Sequence, residues 1–124
     1  MKNIFYILGS LLAFIGVALG AFGAHSLKET LSLDHLTIFE TAVRYQMYHA
    51  FALFIAGWAF QKHPHAMFSR AGWLFVAGII LFSGSLYVLV MTGVSTFGAV
   101  TPVGGLAFLA GWLFLAAGFW KVKA

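Results

Sequence analysis

Apolar positions in this chain fall into four long runs with short polar pieces between them. The runs are Ile4 to Ala24, roughly Ala42 to Gln61, Ala71 to Met91, and roughly Pro102 to Trp120. Each holds about 20 residues, the length a helix needs to cross a bilayer core. The first run carries no charge, and Arg44 stands near the start of the second. The connections are short, so neighbouring helices are predicted to be antiparallel and the bundle compact. The expected fold is all-α: an integral membrane four-helix transmembrane bundle, one domain over residues 1–124.

Composition narrows the class further. The 124 residues are 62% hydrophobic and 8% charged, where a soluble domain is about 45–50% apolar and about 25% charged. A water-soluble fold of this length could not bury so much apolar surface, and a disordered chain would not carry it. There is no cysteine, hence no disulfide, thiolate metal site or cysteine nucleophile. The net charge of +4 comes from scattered residues at the ends of the runs, not from the clustered basic face that nucleic acid requires.

Lys2 and the small residues Ala21 to Ala24 give the first run some look of a secretory leader. Its uncharged stretch exceeds the usual core of about 7–15 residues. It also contains Gly16 and Gly20, a helix-packing spacing, so it is expected to remain as a span. Lys2, Lys62, Arg70, Lys121 and Lys123 fall on one side of the membrane, and Lys28 and Arg44 on the other. Five against two predicts an inner-membrane protein with both termini cytoplasmic and with segments 25–41 and 92–101 facing outward.

Two sequence echoes suggest paired hairpins. Ala56-Gly57-Trp58 recurs as Ala110-Gly111-Trp112, 54 residues on, and Phe22-Gly23-Ala24 recurs as Phe97-Gly98-Ala99, 75 residues on. Coincidence in a Gly/Ala/Phe-rich chain is the plainer reading; two parallel helical hairpins are the sharper one. The segment His25 to Thr41 would then be an insertion. Within it, Ser26-Leu27-Lys28-Glu29 reads as a capping box that starts a short interfacial helix, with Leu27, Leu31 and Leu33 toward the membrane surface. Thr37-Ile38-Phe39-Glu40 reads as a second box that starts the second span.

Candidate chemistry gathers at that start. Glu40 and Arg44 are four apart and share a helix face; Thr41, Tyr45, Tyr48 and His49 form the next stripe, with Gln46 among them. Ionisable groups at this depth usually face a bundle interior or water. This points to a polar pocket near the outer surface between the first two helices, which His25 could join. The structural alternative is an Arg44 that reaches headgroups or pairs with Glu40, beside an aromatic belt of tyrosines. His25 and His49 could ligate haem or a metal, but no third ligand is evident. His63-Pro64-His65 reads as a turn. Thr101-Pro102 reads as a helix start, with Gly104 and Gly105 allowing close backbone approach. Ser83, Ser85 and Tyr87 read as packing groups whose hydroxyls bond internally. No Asp, Glu, Lys or Arg lies deep in a span, and no nucleotide loop, zinc motif or catalytic carboxylate pair appears. An enzyme is therefore not expected, and no cofactor or metal is assigned.

Three runs carry a resemblance. They are Gly20 to His25, Phe39 to Ala50, and Thr101 to Gly105 with Gly111-Trp112. Together they resemble a family of small four-helix membrane proteins of the YgdD/YwdK type, a domain of unknown function found in bacteria with relatives in animals. The resemblance implies a multi-pass protein of a bacterial inner membrane and implies no activity. It points to His25, Glu40, Arg44, Tyr45, Gln46 and His49 as the residues to test. The functional expectation is a non-enzymatic protein that binds a lipid or small amphiphile, or serves as an accessory protein. Its partners would be membrane lipid, further copies of itself or another membrane protein, and not nucleic acid. A small transporter or channel built from the hairpins is the alternative, and a haem- or metal-binding redox protein a further one.

Overall fold

A computed structural model of the chain describes residues 3–122. Among them there is no strand, and the helices form four long rods. In the first rod, α1 (Ile4–Ala18) widens through a π turn (Leu19–Gly23) into α2 (Ala24–Leu27). The second is α3 (Leu33–Lys62). In the third, α4 (Ala66–Gly78) passes through a π turn (Ile79–Ser83) into α5 (Gly84–Thr92). A 3-10 turn (Ser95–Ala99) leads into the fourth, α6 (Thr101–Lys121). Glu29, Asp34 and Glu40 lie at one end of the bundle, here the acidic end. Lys62, Arg70 and Lys121 lie at the other, here the basic end.

Three rods are long and apolar enough to cross a membrane: Ile4–Leu27, Ala66–Thr92 and Ser95–Lys121. α3 is long enough but carries Asp34, Glu40, Arg44, Gln46 and His49 in its first seventeen residues. The packing accounts for this. α3 touches α1, α4, the second π turn and α5, and buries Phe39, Ala42, Gln46, His49, Ala50, Leu53, Ala56 and others. Gln46 and His49 lie on its buried side, where polar groups can find partners inside the bundle, while Asp34, Glu40 and Arg44 stay exposed near its start.

Packing between rods relies on glycines seven residues apart, which take in atoms of an antiparallel rod; on α6 the rings they receive are themselves seven residues apart. On the first rod, Gly9 faces the Ala50 carbonyl with Phe54 and Leu53, Gly16 faces Met47 with Gln46 beside it, and Gly23 faces the Phe39 ring. Gly118, Gly111 and Gly104 of α6 meet Phe68, Phe75 and Phe82 of the third rod. Reverse contacts add to these: Tyr6 packs on Gly57, Phe5 lays its ring on Gly72 of α4, and Phe108 lays its ring on Gly78. Small residues let helices approach until large rings fill the space, and dispersion then replaces lipid contact. The closest approach is at Gly104, where a β-carbon would overlap the backbone of Phe82.

This register only partly follows the sequence echoes. Gly57 and Gly111 do play a similar part, each receiving an aromatic ring from the preceding rod, Tyr6 at Gly57 and Phe75 at Gly111. Gly23 and Gly98 do not: Gly23 packs on Phe39 inside the first rod's turn, whereas Gly98 lies in the 3-10 turn after the third rod.

The segment between the first two rods differs from expectation. Ser26 does not start a separate interfacial helix. Ala24–Leu27 continues the first rod, and a turn at residues 28–32 reverses the chain. α3 begins not at Thr37 but at Leu33, where Ser32 takes an extended backbone and accepts the His35 N–H at 3.1 Å. Asp34 in that first turn suits the positive end of the helix dipole. Thr37 lies inside the helix, its hydroxyl bonded back to the Leu33 carbonyl at 3.0 Å. The third rod ends on Gly93, whose φ of 71° only glycine adopts cheaply. At the basic end, His63-Pro64-His65 is a turn, and His65 Nδ1 caps α4 by accepting the Met67 N–H at 3.1 Å.

Candidate functional site

His49 is the most constrained polar residue of α3. It is 4% exposed, and its ring stacks on Phe108 with centroids 3.6 Å apart and planes 8° apart. Nδ1 lies 2.7 Å from the Tyr45 carbonyl, and Nε2 lies 3.0 Å from Trp112 Nε1. A carbonyl only accepts and an indole N–H only donates, so Nδ1 carries the hydrogen and Nε2 the lone pair. Both ring nitrogens are thus engaged. His49 is also deeper than the sequence suggests. It lies thirteen residues before Lys62, about 20 Å at 1.5 Å per residue, and level with the middle of α6.

Gln46, 2% exposed, points into the bundle. Its amide nitrogen donates to the Leu12 carbonyl at 2.8 Å, and its oxygen accepts from the Tyr87 hydroxyl at 2.7 Å, so one side chain ties α1, α3 and α5 together. Ser83 donates to the Ala42 carbonyl at 2.7 Å. Ser85 donates to the Phe82 carbonyl at 2.9 Å and lies 2.6 Å from the Thr101 hydroxyl. These hydroxyls do bond internally, and they join separate rods. Thr101 spends its side chain on Ser85 and does not cap α6; it is the first residue of that helix, with Pro102 second and Val100 at the cap position. Among the described residues every buried side-chain polar atom has a partner.

Beside this network, α3 and α6 run parallel, both from the acidic to the basic end, without the close backbone approach of the paired rods. His49, Phe108 and Trp112 bridge the space between them. What they leave open is a groove of about 510 Å³ on the lipid-facing surface. Tyr45, Tyr48 and His49 line it from α3, Phe82 from the second π turn, and Pro102, Gly105, Leu106, Phe108, Leu109 and Trp112 from α6. Its walls are aromatic and aliphatic, and no charged residue lines it.

The six residues singled out from sequence therefore separate. Tyr45 and His49 line this groove. Gln46, one residue from Tyr45, turns to the opposite side and builds the interior. Glu40 and Arg44 are exposed near the acidic end. His25 is exposed in the last turn of the first rod, beside Ser26, Lys28 and Glu29. It is not brought to His49. The groove lies between the second and fourth rods, not the first two as expected. Phe82, Leu106, Phe108 and Leu109 escaped sequence reasoning because α6 and the third rod are apolar all round; the spacing of 102, 105, 106, 109 and 112 marks one helix face but not which face is open. Trp112 stood out through the Ala-Gly-Trp echo and the Gly111-Trp112 pair of the family resemblance, neither of which ties it to His49.

No solved structure matches the chain. The family model described as "Protein of unknown function (DUF423)" matches residues 19–105. UPF0382 membrane protein SAB0533 of Staphylococcus aureus (strain bovine RF122 / ET3-1) is 46% identical over 119 residues, covering 96% of this chain and 97% of the relative. UPF0382 membrane protein YwdK of Bacillus subtilis (strain 168) is 45% identical over 114 residues, covering 91% and 93%. With its apolar rods and that end-to-end similarity, the chain belongs to the DUF423/UPF0382 family of multi-pass membrane proteins of unknown function.

Proposed function

We propose that this protein is a non-enzymatic binding or accessory protein of the bacterial inner membrane that holds the chain of a lipid or small amphiphile between α3 and α6. The observation that carries the reading is the 510 Å³ groove, open to lipid, uncharged, and floored by a histidine whose two nitrogens are already bonded. Such a floor offers an apolar ring face and no reactive group. Tyr45, Tyr48, Leu106, Leu109 and Trp112 would contact the chain. Arg44 precedes Tyr48 by one helical turn on the same face and would meet an anionic head at the rim. In this reading the acidic end faces outward and both termini are cytoplasmic.

A transport path is less well supported, because the core toward the basic end is filled by Phe5, Leu53, Phe68, Phe75 and Leu115 and offers no polar route. Haem ligation through His49 would require breaking its bond from Trp112, with His25 at another place in the fold. The test is native mass spectrometry of the protein from mild detergent after incubation with oleate. One retained oleate per chain, lost when Leu106→Trp fills the groove, supports the reading. No retained mass, or equal retention by the filled variant, overturns it.

A further inference from the structure

A second groove, of about 390 Å³, opens at the basic end where α4 and α6 meet. Ser69, Arg70, Trp73, Leu74 and Phe114 line it. Residues 70, 73 and 74 share one helix face by their spacing of three and four, and Ser69 and Trp73 are likewise four apart. The groove is amphipathic along its length. Arg70 is the fifth residue of α4 and exposed at the rod's end, while Trp73 and Leu74 lie about one turn deeper. Phe114 faces them from α6. Lys121 falls on the same face of α6, seven residues nearer the end.

The charge pattern says what such a groove lacks. The three side-chain carboxylates of the chain, Glu29, Asp34 and Glu40, all precede residue 41. Glu40 is twenty-two residues of α3 away from Lys62, about 33 Å at 1.5 Å per residue. The basic end therefore presents Lys62, Arg70 and Lys121 with no side-chain carboxylate near them. Lys62 rests over the Trp58 ring, 5.2 Å from its centroid. Arg70 instead projects at the mouth of the groove. A guanidinium there suits a phosphate, which it can meet with two parallel N–H donors.

We propose that this groove is a binding site for an anionic phospholipid. The phosphate sits on the Arg70 guanidinium and the Ser69 hydroxyl, and one acyl chain lies along Trp73, Leu74 and Phe114. The site is independent of the groove between α3 and α6, at the other end of the rods.

The test titrates the full chain in mild detergent with phosphatidylglycerol or phosphatidylcholine of identical acyl chains, counting retained lipid by native mass spectrometry. It uses the Leu106→Trp background, in which the other groove is filled. Phosphatidylglycerol should be retained about five-fold over phosphatidylcholine, the effect of one interfacial cation. Arg70→Gln should remove the preference, Arg70→Lys should keep most of it, and Lys28→Gln at the acidic end should leave it intact. Equal retention of the two lipids, or a preference that survives Arg70→Gln, overturns the proposal. Displacement of phosphatidylglycerol by millimolar inorganic phosphate would assign the site to a free anion and overturn it equally. Arg70 is exposed, so Arg70→Gln leaves the packed core untouched, and an unchanged unfolding midpoint confirms this.

Discussion

Trp112 of α6 donates its indole N–H to Nε2 of His49 on α3 at 3.0 Å, a bond between two parallel helices whose backbones stand apart. It fills the remaining acceptor site of a buried imidazole that already donates to the Tyr45 carbonyl and stacks on Phe108. The bond thus explains both how a polar residue is accommodated at mid-height and why a groove remains beside it.

Removing that donor gives a direct check. Trp112→Phe keeps an aromatic ring but leaves Nε2 unpaired, and should cost about 1 kcal/mol. His49→Ala should cost more, since it also removes the stack on Phe108, itself worth about 0.5–1.5 kcal/mol. The double variant should lose less than the sum of the two, because one bond is counted in both. Thermal unfolding of the four proteins in one detergent reads all three values. Additive losses would mean that the two residues act separately.

Two neighbouring glycines should behave oppositely. A β-carbon at Gly104 would overlap the Phe82 backbone, which has nowhere to move, whereas at Gly105 the nearest atom is Phe82 Cδ2 at 4.0 Å. Gly104→Ala should destabilise by about 1–3 kcal/mol through overpacking. Gly105→Ala should be neutral or slightly stabilising, since alanine is the better helix former by about 1 kcal/mol. The pair of unfolding midpoints decides it, and similar behaviour at both positions would place the α6 contact elsewhere.

Orientation is testable cleanly because the chain has no cysteine. Thr30→Cys, in the turn between the first two rods, should react with a membrane-impermeant maleimide in intact spheroplasts. Pro64→Cys, in the turn at the basic end, should react only after lysis. The reverse pattern would put the termini outside, and labelling of both before lysis would indicate dual topology.

Much of the architecture could be read directly because it depends on local composition. A run of about 20 apolar residues must be a helix wherever no water can satisfy the backbone, and the all-α bundle with short connections follows. The internal bonding of Ser83, Ser85 and Tyr87 was legible for the same reason: a hydroxyl in an apolar span needs a partner. Helix starts were legible less well. Ser26, Ser32 and Thr37 are all plausible caps, and only the turn after Leu27 selects Ser32.

By itself, then, the sequence determined that this protein is membrane-embedded and helical, with its densest polar cluster near the start of the second run. It did not determine which of those polar residues meet. Tyr45, Gln46 and His49 are neighbours on α3, yet the register set by Gly9, Gly16 and Gly23 turns Gln46 toward Leu12 and Tyr87, while Phe108 and Trp112 draw His49 to the lipid-facing groove. Apolar positions in a span look alike to any pattern of hydropathy. What distinguishes a floor from a wall is the helix packed against it, and that is fixed by where glycine lets a ring come close.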